Sequence, residues 1–88
     1  AIMPTLYYAR LDVRFKRQET PTESELRELI SQKDFSVANM SYQLKEEGKF
    51  FEYQMTVRTQ KRDNYRKLAE TLTAMEKVLE FGITPTGD

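Results

Sequence analysis

The side chains able to bind or react form four groups. Glu23, Glu25 and Glu28 recur at close spacing, and Glu46 with Glu47 stand beside a glycine; carboxylates this near each other suggest a hard cation such as magnesium. Lys61, Arg62, Arg66 and Lys67 form the compact basic group, suited to anionic headgroups. Gly48-Lys49-Phe50-Phe51-Glu52-Tyr53 sets aromatics among charges, much like the strand with which an RNA-recognition motif stacks bases. Tyr8, Arg10 and Arg14 with Phe50, Glu52 and Arg58 mix charges and rings, a composition that pairs with a second copy of itself across a two-fold axis.

Catalysis has little to work with. Histidine and cysteine are both absent, which removes most hydrolytic triads, most zinc sites, disulfides and thiolate chemistry. The lack of cysteine fits a reducing compartment. No motif sets a nucleophile beside a tuning base, so a non-catalytic domain without a cofactor is expected. Lys plus Arg number 14 and so do Asp plus Glu, with six of each up to Leu44 and eight of each from Lys45 onward. So even a balance lacks the broad basic footprint of a nucleic-acid binder.

The elements that must position these groups follow from periodicity. The 88 residues are 39% hydrophobic and 32% charged, as in one small globular domain whose modest core would gain from oligomerisation. No window approaches the ~18 apolar residues of a membrane span, and a secretory signal is not expected within these residues. Tyr7, Ala9, Leu11, Val13 and Phe15 alternate with Tyr8, Arg10, Asp12, Arg14 and Lys16, which predicts a strand with one buried face. Thr20-Pro21-Thr22-Glu23 offers an N-cap at Thr20, proline at the first helical position and glutamate three residues after the cap, so a helix should run to about Lys33 with Leu26, Leu29 and Ile30 inward.

Period two then returns. Between Phe35 and Glu46, Ala38, Met40, Tyr42 and Leu44 share one predicted face, and the opposite parity of Phe35 and Val37 predicts a bulge near the strand's start. Glu46-Glu47-Gly48-Lys49 reads as a hairpin turn, with glycine at a positive φ. A third strand over 50–60 buries Phe51, Tyr53, Met55 and Val57; this parity assigns Phe51 and Tyr53 to the core and removes them from any RNA-stacking surface. Asp63 is the expected cap of a helix with Tyr65, Leu68, Ala69, Leu72 and Met75 on one stripe. A last strand turns Leu79, Phe81 and Ile83 inward and should be broken by the tail 84–88.

The order βαββαβ implies one α+β, ferredoxin-like domain over 1–88: a four-stranded antiparallel sheet in order 4-1-3-2 with both helices on one face. In that topology the start of strand one and the ends of strands three and four meet beside Lys61 and Arg62. The open face should present Tyr8, Arg10, Arg14, Phe50, Glu52 and Arg58, with Arg10 or Arg14 expected to meet Glu52 of a second copy. The acidic clusters read more simply as helix-dipole and turn residues than as a magnesium site.

YYARLDVRF, ESELRELI, FSVANMSYQLKEEGKFFEYQMTV and EKVLEFGI together give a pattern that resembles the C-terminal cytoplasmic domain of the MgtC/SapB family of bacterial inner-membrane proteins. The resemblance implies an ACT-like fold, a transmembrane domain before Ala1, a cytoplasmic position, and a link to growth in low magnesium and survival inside host cells. The implied role is regulatory, through the domain itself, its parent membrane domain, another protein or an anionic lipid surface. ACT domains that sense amino acids use a glycine between strand one and helix one; Arg17-Gln18-Glu19-Thr20-Pro21 has none, so ligand sensing near this loop is the second reading and RNA binding the third.

Overall fold

A computed structural model describes residues 3–87; Asp88, the end of the expected breaking tail, lies outside them. Strands β1 (Tyr7–Lys16), β2 (Ser36–Lys45), β3 (Phe50–Thr59) and β4 (Val78–Thr86) are joined by helices α1 (Glu23–Ser31) and α2 (Asn64–Ala74). The sheet is antiparallel in order β2-β3-β1-β4, which is the predicted 4-1-3-2 read from the other edge. The molecule has the ferredoxin-like α+β fold.

β1 is hydrogen-bonded on both sides, so its apolar half has nowhere to go but the core. Ala9, Leu11, Val13 and Phe15 are fully buried with Tyr53, Met55 and Val57 of β3, Leu26 and Ile30 of α1, and Leu68 and Leu72 of α2. One continuous cluster joins both helices to the same sheet face. Two phenols fasten its ends: Tyr65 Oη donates to the Tyr8 carbonyl at 3.0 Å, and Tyr53 Oη to the Pro21 carbonyl at 2.6 Å.

α1 starts two residues later than its sequence suggests. Thr22, not Thr20, is the N-cap: its Oγ accepts from the Glu25 N–H while the Glu25 carboxylate accepts from the Thr22 N–H. Thr22 and Glu25 satisfy the same capping-box spacing, and Thr20 is otherwise engaged. Its hydroxyl reaches the Lys16 and Arg17 carbonyls and closes a short 3-10 turn over Arg17–Glu19. Asp63 does stand at the N-cap of α2, but its carboxylate makes no capping bond because Arg66 takes both its oxygens.

Both edge strands depart from simple alternation. In β2 the register slips between Ala38 and Ser41, with Asn39 at φ 55°, so the predicted bulge is present. Ala38 therefore faces away from the core, opposite Thr56. Tyr42 and Leu44 are on the helix face opposite Tyr53 and Phe51, yet each remains 54% exposed because an edge strand is covered only in part. In β4, Arg14 pairs with Glu80 but Phe15 with Val78; the slip expels Leu79, and Val78 takes its place beside the core. β4 also continues through Pro85, opposite Ala9, since an edge strand tolerates the missing N–H. At the hairpin, Glu46, Glu47 and Gly48 all have positive φ.

Two substitutions test this arrangement by chemical denaturation. Leu68→Ala should cost about 2–5 kcal/mol, as expected for a fully buried leucine. Thr22→Ala should cost about 1 kcal/mol through loss of the cap.

Candidate interaction face

Antiparallel pairing brings the sequence-predicted residues onto one surface. Tyr8 lies opposite Arg58, Arg10 opposite Thr56, Asp12 opposite Gln54, Arg14 opposite Glu52 and Lys16 opposite Phe50. Tyr8, Arg10, Arg14, Phe50, Glu52 and Arg58 thus share the face that no helix covers. β2 adds Gln43 and Lys45, and β4 adds Glu80, Gly82 and Thr84.

The face has two unlike halves. Near the hairpin, Arg14 gathers three carboxylates: Nε donates to Glu52 at 3.2 Å, and Nη1 to Glu46 at 2.9 Å and to Glu80 at 3.4 Å. Its guanidinium also lies 5.4 Å from the centre of the Phe50 ring. Glu52 is only 6% exposed and is further held by Gln54 Nε2 at 2.7 Å and Lys45 Nζ at 3.5 Å. Burial raises the Glu52 pKa, but the bonds from Gln54 and Arg14 and the Lys45 charge outweigh it, leaving the group below its ordinary value. The expected Arg14–Glu52 contact between copies is therefore made within one chain.

At the other end stand Tyr8, 41% exposed, with Arg10 and Arg58. Arg58 Nε donates to Ser36 Oγ at 3.1 Å. Between the halves Asp12 lies over Gly82, where a Cβ would come within 3.0 Å of its carboxylate oxygen. Burial, with repulsion from Glu52, pushes the Asp12 pKa up despite Arg10, Lys45 and Arg14 nearby.

The other predicted groups are dispersed. Arg66 is bound by Asp63 at 2.9 Å and Glu70 at 3.0 Å, and Arg62 sits over the Tyr7 ring at 5.1 Å. Tyr7 pairs with Thr59 and Tyr8 with Thr86, so Lys61 and Arg62 do follow the end of β3 where β1 begins and β4 finishes. Of the acidic residues, Glu23 accepts from Tyr42 Oη and from Arg27 Nε, and both bonds hold its pKa down. Glu25 belongs to the cap and Glu46 to Arg14. Among the described residues no three acidic side chains gather as a cation site. Phe51 and Tyr53 point toward the helices, their rings 5.1 Å apart.

The cavity beside the Arg17–Glu19 turn measures about 220 Å³, below the ~300–1,000 Å³ usual for small-molecule sites. No described helix is long and apolar enough to cross a membrane. The chain matches no family model and no curated protein sequence.

The opposed shifts of Glu52 and Asp12 give opposite pH behaviour. A carboxylate with a lowered folded pKa stabilises the fold above its unfolded pKa, and this is lost as pH falls through the folded value; a raised one opposes folding as pH rises past the unfolded value. Glu52→Gln should thus destabilise at neutral pH by about 1–3 kcal/mol, with the difference shrinking in acid. Asp12→Asn should stabilise at neutral pH by about 0.5 kcal/mol, with the gain fading below the ordinary carboxylate range. Thermal melts from pH 3 to 8, about the span over which carboxylates titrate, read both.

Proposed function

We propose that this is a non-catalytic regulatory or interaction domain that acts by association, forming a homodimer through its open sheet face. The observation that carries this reading is the charge order along that face. Arg10 and Arg58 are exposed at one end, while Glu46 and Glu80 stand 58% and 69% exposed at the other. A two-fold axis lying across the strands reverses one copy on the other and sets Arg10 and Arg58 of each against the exposed Glu46 and Glu80 of its partner, at an end where Arg14, Lys16 and Lys45 also stand. Tyr8 adds an exposed ring with a polar tip, a residue type suited to interfaces.

The sequence pattern from YYARLDVRF to EKVLEFGI supports a setting for this association: the cytoplasmic part of an MgtC/SapB-like inner-membrane protein of bacteria, linked to growth in low magnesium or to virulence. Its partners are then a second copy, the parent membrane domain or another protein. Lys61 and Arg62, beside the entry to β1, suit an anionic lipid surface. Nucleic acid has no part in this reading, given the even charge balance.

Sedimentation of the chain at micromolar concentration should show a dimer that Tyr8→Glu combined with Arg58→Glu converts to monomer. A monomer before substitution would sink the proposal. Replacing Lys61 and Arg62 by Gln should weaken binding to anionic liposomes by about 1 kcal/mol per residue, and unchanged binding would remove the lipid contact.

A further inference from the structure

A second cavity, of about 570 Å³, opens at the end of the sheet away from the hairpin, between the lead-in to β1, the α1–β2 turn and the start of α2. It falls within the volume range of small-molecule sites. Its floor is a buried polar relay: Asn64 Nδ2 donates to Thr59 Oγ at 2.8 Å, and Thr59 Oγ donates to the Asp34 carbonyl at 2.9 Å, with Asn64 and Thr59 each 3% exposed. The hydroxyl's one hydrogen is spent on Asp34, whereas the Asn64 amide has a second N–H beyond the one given to Thr59.

Two cations line the same space. Arg58 commits Nε to Ser36, and its terminal nitrogens make no ion pair among the described residues; nor does the Lys61 ammonium. A guanidinium fork beside a point charge is the donor set that phosphate takes. Pro4 and Leu6 supply an apolar wall. Among the described residues, Asp34 is the one carboxylate on the lining.

We propose that this cavity binds a phosphomonoester group, held between Arg58 and Lys61 over the Asn64 amide, with any organic body against Pro4 and Leu6. Two cations favour a phosphomonoester, which carries about −1.5 to −2 at neutral pH, over a singly charged carboxylate or phosphodiester, while Asp34 on the lining weakens the binding of every anion. The source is a soluble phosphate ester or a lipid such as phosphatidic acid. The site shares Arg58 with the open-face association proposed above, so the test rests on Lys61 and Asp34, which lie outside that face.

The test is NMR titration of the whole chain with inorganic phosphate, adenosine 5′-monophosphate and adenosine. The two phosphates should shift the Asn64 side-chain amide and the Arg58 and Lys61 signals saturably, and adenosine should not. Lys61→Gln should weaken the monophosphate by up to about fivefold, the scale of an exposed charge contact. Asp34→Asn should strengthen it by a similar factor, and Asp34 at φ 66° occupies a conformation that asparagine favours. Arg62→Gln, which alters the basic group but not the cavity lining, should leave it unchanged.

Vesicles of phosphatidylcholine containing phosphatidic acid identify the source: displacement of the monophosphate assigns a lipid headgroup, and failure to displace it assigns a soluble ester. Equal displacement by phosphatidylglycerol, a diester, would overturn the proposal. So would the absence of shifts with phosphate and monophosphate alike, or binding that ignores both Lys61→Gln and Asp34→Asn in variants that retain the wild-type circular dichroism spectrum.

Discussion

Both helices occupy one side of a four-stranded sheet, and the character of the molecule follows from the side they leave bare. The covered side can be apolar throughout, and along β1 it is. The bare side must stay polar even along β1 and β3, where neighbouring strands bury Glu52 and half-bury Asp12 and Arg14. Charges so placed are costly unless paired. Arg14 answers that constraint with a planar cation whose several donors reach carboxylates of β3, β4 and the β2–β3 turn at once, a geometry that a lysine's point charge does not reproduce.

The constraint also separates the two ends of the sheet. Near the hairpin the polar groups satisfy one another, and Glu52 disappears beneath Arg14, Lys45 and Gln54. Toward the start of β1 the cations have fewer partners, and the floor there is neutral, built from Asn64 and Thr59. Internal satisfaction makes the first end a structural clamp. Among the described residues the other end has fewer such bonds, Arg58 donating to Ser36.

Much of the fold was legible because the covered face writes itself into the sequence with a period of two in β1 and β3 and a helical stripe in α2. The β2 bulge was legible too, since Phe35 and Val37 break parity with Tyr42. Less legible were features set by competition among equivalent residues. Two threonines, Thr20 and Thr22, each had a glutamate three residues ahead or a proline behind, and only the 3-10 turn that claims Thr20 settles which one caps α1. The open-face residues could be named from parity. Their pairing could not, because β1 and β3 register is fixed by contacts distant in sequence. Arg14's carboxylates sit 32, 38 and 66 residues away along the chain, and local spacing carries no trace of them.

The irregular edges have a consequence for how copies of this molecule can meet. An exposed strand is a template on which another chain can extend the sheet. Here β2 is broken at Asn39 and Met40, and β4 is broken at Leu79 and carries Pro85, which has no N–H to offer. Neither rim presents a continuous ladder. Growth strand by strand into a fibre is hindered from both sides, at Asn39 and Met40 on one rim and at Leu79 and Pro85 on the other.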